Sequence, residues 1–372
     1  MRLDVACSHI VDCEHKTAPI DEAGEYFAVG TPAMRDHRIN YAEARRISRE
    51  TFEAWTRRLS PRAGDLLFAR EAPVGPVVRL PDVANVAPGQ RTVLLRPDPD
   101  VVDSKFLYYA LTAPAAQAGL LVKAEGSTVH HLNVPDIRSF EVWVPSLREQ
   151  QAIAEVLGAL DDKIAANTAL AKTAWALMET NFRAIQADPN RVRVALGAIA
   201  SLEYGKALPA GTREPGDVAV VGSGGISGTH SLALVHQSGV VVGRKGSAGA
   251  VHWVSGPHFP IDTTFYVRGQ REAISQSYLY FLLRTLHLDQ MNNDSAVPGL
   301  NRAEALALPV ELAADEHLSA FTSRADALIE LVDGVAAQSR TLAATRDALL
   351  PQLMSGKLRV HDAENLIDQA GV

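Results

Sequence analysis

The run Ser127 to Val142 (STVHHLNVPDIRSFEV) returns 168 residues later as Ser295 to Val310 (SAVPGLNRAEALALPV), with Ser127/Ser295, Val129/Val297, Leu132/Leu300 and Asn133/Asn301 matched. A long-period internal repeat constrains a fold more than any composition does, because each copy must be one complete structural unit. Two further blocks keep the same order. FLYYAL at 106–111 is matched by YLYFLL at 278–283, and GDLLFAREAPVG from Gly64 by GVVVGRKGSAG from Gly239. Both members of the last pair are apolar runs that reach an arginine, Arg70 or Arg244, and then a glycine.

Each copy is followed by a helical pattern of about 40 residues, roughly 60 Å at 1.5 Å per residue. The first starts at Ser146, where S-L-R-E offers a capping box. Ile153, Leu157, Leu160, Ile164, Ala171, Trp175, Met178, Phe182 and Ile185 then form one near-heptad stripe, which stops at Asp188-Pro189. The second starts near Asp315, carries Leu318, Phe321, Ala325, Leu328, Val332, Val335, Leu342, Leu349 and Leu353, and ends at Ser355-Gly356 as a glycine C-cap. Pro351 is expected to kink or locally break its last turns. A helix this long with one apolar stripe needs a partner for that stripe, and each helix is the other's obvious partner. Antiparallel pairing would place the two preceding segments at opposite ends of a stiff rod. In the alternative, each helix packs on its own globular domain.

A chain of 372 residues exceeds one ordinary core and predicts two to three domains. With 47% hydrophobic and 21% charged residues, collagen-like, low-complexity and wholly disordered readings fail. No run approaches a membrane span, two cysteines cannot frame disulfides for this length, and MRLDVACSHI lacks a signal-peptide core. A reduced, cytoplasmic protein is expected. The net charge of −7 excludes a uniformly basic DNA binder, but the acid excess concentrates in 311–372, whereas 191–310 is slightly basic. Residues 1–144 also hold a basic stretch, Arg35, Arg38, Arg45, Arg46, Arg49, Arg57, Arg58 and Arg62, which interleaved acids could equally make a solvated face.

In architecture and local wording the chain resembles the specificity subunit of type I restriction-modification enzymes over essentially its whole length. The resemblance rests on DCEHKTAP (Asp12–Pro19), ETFEAW (Glu50–Trp55), RAGDLLFAR (Arg62–Arg70), PSLREQQAIAEVLGALDDKI (Pro145–Ile164), VGRKGSAGAVHWV (Val242–Val254), FPIDTTFYV (Phe259–Val267) and LLPQLMSGKL (Leu349–Leu358), in that order. It implies an α+β fold in which two mixed α/β target-recognition domains, 1–144 and 191–310, form a pseudo-repeat. Between and after them, helical spacers at 145–190 and 311–358 form an antiparallel coiled coil, and 359–372 is a tail. It further implies a non-catalytic reader of double-stranded DNA, in which each domain recognises one half of a split target. The helical pair would set the gap and dock two methyltransferase (modification) subunits, and restriction/translocase subunits would join that complex. No cofactor is expected in this chain. S-adenosylmethionine belongs to the methyltransferase, and ATP and magnesium to the nuclease. The first domain has REAPVG where the second has RKGSAG, so the two loops need not do the same job.

The candidate DNA-contacting residues are Lys16, Arg35, Arg38, Arg45, Arg46, Arg70, Thr128, His130, Lys206, Ser223, His230, Arg244 and Lys245. Arg244 and Lys245 follow Val240-Val241-Val242 into a glycine-bounded loop, where an arginine fork suits guanine O6 and N7 and a lysine suits phosphate. Arg70 is the parallel position, with a salt bridge to an acid such as Glu71 as its structural alternative. Thr128, His130 and His131 lie in a polar loop that either meets DNA or bonds within the domain. Lys16 belongs, with His15 and Thr17, to a loop that could meet backbone phosphate or cap a turn.

The glycine loop Val220–Gly228 fails as a dinucleotide motif, because Ser227 occupies its third glycine position and no amphipathic helix follows. A turn whose amides approach phosphates, or a plain structural turn, remains. Cys7, His9, Cys13 and His15 are spaced poorly for structural zinc. There is no Walker loop, H-E-x-x-H, G-x-S-x-G or (Asn/Asp)-Pro-Pro-Tyr signature. Other functional readings are a coiled-coil assembly adaptor with protein-binding globular ends and, behind it, an enzyme using Gly222–Gly228.

Overall fold

The computed structural model describes residues 1–35, 37–82, 85–124, 130–291 and 299–369. It divides into two compact units, Met1–Ala165 with Gln338–Val372, and Ala166–Ala337.

In the first unit, α1 (Leu3–Ala6) leads into β1 (Cys7–Asp12), followed by β2 (Tyr26–Val29), β3 (Met34–Arg35), β4 (Arg38–Ile39), β5 (Arg45–Ile47) and α2 (Arg49–Trp55). Then come β6 (Leu66–Arg70), β7 (Val74–Arg79), β8 (Val86–Pro88), β9 (Thr92–Pro97), α3 (Ser104–Thr112), α4 (Pro114–Lys123) and α5 (Val134–Ser139). The main sheet has the order β1-β9-β6-β7, and a smaller one the order β5-β2-β8, with β2 and β8 parallel. β3 and β4 pair as a separate two-stranded sheet.

The second unit repeats this plan through β10 (Val192–Ala195), β11 (Ala200–Tyr204), β12 (Val218–Gly222), β13 (Gly225–His230), β14 (Gly239–Gly243), β15 (Val251–Val254), β16 (His258–Pro260) and β17 (Thr264–Gly269). α7 (Gln276–Thr285), α8 (Arg302–Ala307) and β18 (Pro309–Leu312) complete it. Its main sheet runs β11-β17-β14-β15 and its small sheet β13-β12-β16, with β12 and β16 parallel, so both orders match the first unit strand for strand. The pairing of β10 with β18 has its counterpart in the single bridge Arg2↔Glu141. α3 and α7, the FLYYAL and YLYFLL elements, are capped alike. Asp103 accepts from the Phe106 amide at 2.8 Å and Ser275 from the Tyr278 amide at 3.1 Å, each satisfying one orphan N–H of a helix start.

The two long helices are α6 (Leu147–Gln186) and α9 (Asp315–Met354). Within the first unit, Ile153, Leu157 and Leu160 of α6 share one core with Leu342, Leu349 and Leu353 of α9 and with the main sheet. In the second unit, Met178 and Phe182 share a core with Leu318, Phe321, Ala325 and the sheet residues Val240, Val242 and Phe265. The N-terminal part of one helix thus meets the C-terminal part of the other in each unit, which is antiparallel pairing. The helices also pack on the domains, so the two arrangements weighed as alternatives occur together: a 40-residue stripe is wide enough to serve both.

How the helices are held differs between the units. In the first, Asp161 accepts from Tyr109 Oη at 2.6 Å and Arg346 Nη1 at 2.6 Å, and burial together with that carboxylate pushes the Tyr109 hydroxyl above its usual range. In the second, Trp175 stacks edge-on against Trp253 and Tyr280, and Phe182 packs on Tyr278, Phe281 and Phe321. Pro351 leaves α9 helical through Met354. It lies one turn from the end, and the Ser355 amide still bonds its carbonyl at 3.2 Å. Gly356 then adopts φ +66°, the left-handed C-cap conformation. Residues 360–369 form α10 (Val360–Gln369), with Ala363 buried in the first-unit core. Among the described residues, no helix is long and apolar enough to cross a membrane.

Candidate nucleic-acid interface

Strand register aligns the two domains residue by residue. Asp12 lies opposite Val93, which lies opposite Phe68, while Tyr204 lies opposite Phe265, which lies opposite Val242. Two residues beyond Phe68 and Val242 stand Arg70 and Arg244. The carbonyl of Arg70 accepts from the Leu132 amide at 2.8 Å, and that of Arg244 from the Leu300 amide at 2.9 Å. Both loops are held by the repeated phrase read from the sequence. Glu71↔His131 and Lys245↔Gly299 are matching bridges one residue further on.

In the second domain, the end of β14 delivers a cationic cleft lined by Tyr204, Arg244, Lys245, Asn301 and Arg302. The strand Val240–Val242 is buried, so the chain emerges from the core at Arg244 with a fixed direction. Arg244 donates from Nε and Nη2 to the Asp262 carbonyl at 3.1 and 2.7 Å, and its guanidinium lies 5.3 Å from the Tyr204 ring centroid. Arg302 reaches the same ring at 5.5 Å. Lys245 is exposed on the loop, which turns through Gly246 and Gly249 at φ +79° and +83°. Any side chain at 249 would meet the Asp289 backbone 2.2 Å from its Cβ, so the loop requires glycine there.

The β12–β13 turn packs beside this loop. Ser223 Cβ stands 3.3 Å from where a side chain at Gly243 would begin, and the Ser223 carbonyl is bonded by His252 Nε2 at 2.9 Å. Val220–Gly228 is therefore a strand hairpin with no helix after it, which removes the dinucleotide geometry. Lys206, exposed two residues beyond Tyr204, bridges Ile261 on the segment whose Asp262 holds Arg244. The structure thus brings Lys206, Ser223, Arg244 and Lys245 to one pole of the domain. His230 lies apart: it is 5% exposed, accepts from the Glu214 amide at 3.0 Å through Nδ1, and packs edge-on against Phe259. Its ring is structural here.

The first domain spreads its candidates more widely. Arg70 turns inward, its side chain 13% exposed, with Nε 3.3 Å from Asp12 Oδ1, Nη1 donating to the Leu132 carbonyl at 3.2 Å, and Nη2 3.5 Å from His15 Nδ1. The acid it meets is Asp12, whereas Glu71 pairs with Arg91 at 3.3 Å. Lys16 and His130 are exposed. Arg45 lines a small hollow with Thr17, Gln90 and Arg91. Arg46 points elsewhere, over Phe27 at 5.7 Å, and donates to the Glu22 carbonyl at 3.3 Å. Arg35 lies 3.8 Å from Glu43, and Arg38 lies 3.8 Å from Asp161 on the helix side. Arg57 and Arg58 both meet Glu14. Thr128 lies outside the described residues, as do the matched Ser127, Val129, Ser295 and Val297.

Tyr204, Arg302 and Arg91 line these clefts and are residues that sequence reading did not single out. Only Arg302 left a signal, following Asn301 in the repeated phrase. Cys7 and Cys13 are buried free thiols, burial pushing Cys7 up to about 12. Among the described residues, no three His, Cys, Asp or Glu side chains are grouped to hold a metal.

Residues 18–173 match the family model for the type I restriction modification DNA specificity domain. Among solved structures, the chain is similar to a type I restriction-modification system S subunit from M. genitalium, at TM-score 0.64 and 20% identity over 95% of each chain, which shows the shared fold. An HsdS subunit from Thermoanaerobacter tengcongensis matches at TM-score 0.37 and 17% identity over 96% of each chain. A structure described by complex assembly and conformational transition of the type I R-M system matches at 0.43 and 14%, over 96% of this chain and 97% of that one. No curated protein matches the sequence.

Proposed function

We propose, from the match of residues 18–173 to the type I restriction modification DNA specificity domain, that the chain is a specificity subunit and reads a bipartite DNA target. Residues 1–144 would recognise one half and 191–310 the other. The observation that carries this reading is the duplication itself. Two domains with identical strand orders each present an arginine-bearing loop pinned by the same Leu132 or Leu300 amide. A single-site reader has no use for two such copies. The α6 and α9 spacers, 145–190 and 311–358, would set the gap and dock two methyltransferase subunits. Those subunits would supply S-adenosylmethionine chemistry, and restriction/translocase subunits ATP and magnesium, in the cytoplasm. This chain would position DNA and catalyse nothing.

With a net charge of −7, the chain alone is expected to hold DNA weakly, because phosphate contacts supply most sequence-independent affinity. Assembled with its methyltransferase partners, it should bind a target duplex tightly and with steep salt dependence, on the order of 1,000-fold or more above a scrambled duplex. The competing reading, a coiled-coil adaptor with protein-binding ends, predicts equal and negligible binding to both duplexes. Titration at several salt concentrations decides between them.

A second expectation tests the spacers. One heptad inserted at matched positions in both α6 and α9 adds roughly 10 Å of helix, and should lengthen the unread gap by about three base pairs at 3.4 Å each. Methylome mapping reads the gap directly. An unchanged gap would remove the helices from that role.

A further inference from the structure

The register that equates the two domains also shows where they part. Position for position, Tyr204 replaces Asp12, and Arg302, one residue after Asn301, replaces Val134, one residue after Asn133. The consequences fall on the paired arginines. Asp12 neutralises Arg70 and draws it in, so that all three guanidinium nitrogens of Arg70 lie against groups of its own domain. At the second position no carboxylate among the described residues pairs with the arginine, and an aromatic ring lies under it instead.

Tyr204 is 51% exposed, yet its ring carries two guanidinium groups, Arg244 at 5.3 Å and Arg302 at 5.5 Å. A tyrosine face attracts a cation without consuming its hydrogen-bond donors. The Asp262 carbonyl takes only the side-on pair of Arg244, Nε–H and one Nη2–H. The outer pair, Nη1–H and the second Nη2–H, stays available in a plane that ring and carbonyl hold fixed. A fixed end-on fork matches the parallel O6 and N7 acceptors of guanine in the major groove. Among the described residues, the acid facing Arg302 is Glu203, at 3.8 Å. Arg302 and the exposed Lys245 therefore keep cationic character for flanking phosphates.

We infer that Tyr204 and Arg302 complete, with Arg244, a guanine-reading platform present in the second domain alone. The half-target read by residues 191–310 then contains one obligatory G·C pair, and the first domain reads its half without the counterpart arginine. This rests on the DNA-reading function proposed above, and the experiment separates the two.

The chain is expressed with its methyltransferase partners in a host lacking other methylation, and the methylome is read for wild type, R244K, Y204L, Y204F, R302A and R70K. The expected result is that R244K and Y204L make one G·C position of a single half-target degenerate, with discrimination there falling roughly tenfold to a hundredfold. Y204F, which keeps the ring, should resemble wild type. R302A should lower methylation at all sites and weaken the same position. R70K should leave every base preference of the other half intact. A uniform loss with no degenerate position in R244K and Y204L would assign the cleft to phosphate and overturn the inference, as would an unchanged target. Degeneracy caused by R70K would overturn the asymmetry. Absence of any sequence-specific methylation by the wild-type assembly would instead sink the DNA-reading function itself.

Discussion

Exchanging residues 1–144 for the equivalent domain of another specificity chain should replace one half of the methylated target outright and leave the other half unaltered. The effect is categorical, because specific and non-specific protein–DNA affinities differ typically by 10³ to 10⁷. Its physical basis is that the domain's main sheet and the α3–α5 helices pack into one core within the first unit. The join needs care, however. That core also contains Ile153, Leu157 and Leu160 of α6 and Leu342, Leu349 and Leu353 of α9, and Tyr109 Oη donates to Asp161 beyond the cut. An incoming domain must offer an apolar face at the first set and a donor at Asp161, or bring its own 145–165 and 338–358. Methylome sequencing of both chimeras decides the matter: if either folds and both halves of its target change together, the domains do not read independently.

Much of this fold was legible because two signals reinforce each other. The repeated phrase pointed to two copies, and the heptad stripes at Ile153–Ile185 and Leu318–Leu353 gave helices whose observed ends, Leu147–Gln186 and Asp315–Met354, fall within a few residues of the capping signals. The site was less legible. Linear order placed Arg70 and Arg244 in parallel, correctly, but could not show that Arg70 faces Asp12, 58 residues earlier in the chain, whereas Arg244 faces Tyr204. A lone tyrosine at a strand end carries no periodic signal, and its significance arises only when β11, β14 and α8 converge on it. His230 failed as a surface candidate for a related reason. Polar residue type says little about exposure when a backbone amide, here that of Glu214, waits inside to satisfy the ring.

The same divergence between repeats makes one stability prediction large and its counterpart small. Arg96 on β9 and Arg268 on β17 are equivalent by register, as are Asp65 and Gly239. In the first domain, Arg96 Nε and Nη2 donate to the two oxygens of Asp65 at 2.9 and 2.6 Å, and both side chains are nearly enclosed, at 11% and 1% exposure. In the second, the acid is missing, and Arg268 stays at the surface, 5.4 Å over the Tyr266 ring. An arginine stays in a protein interior only with its charge compensated, so Asp65→Ala strands Arg96 and should cost about 3–5 kcal/mol. In a unit of this size that lowers the melting temperature on the order of 10 °C. Arg268→Ala removes only an exposed cation–π contact, and should cost about 1 kcal/mol or less. The double change Asp65→Leu with Arg96→Met should recover most of the loss, since an apolar pair of similar volume pays no desolvation of charge. Calorimetry on the full chain checks all three. Equal, small shifts for Asp65→Ala and Arg268→Ala would mean that Arg96 escapes to water once its partner is gone, and that the pair serves to aim β9 rather than to hold it.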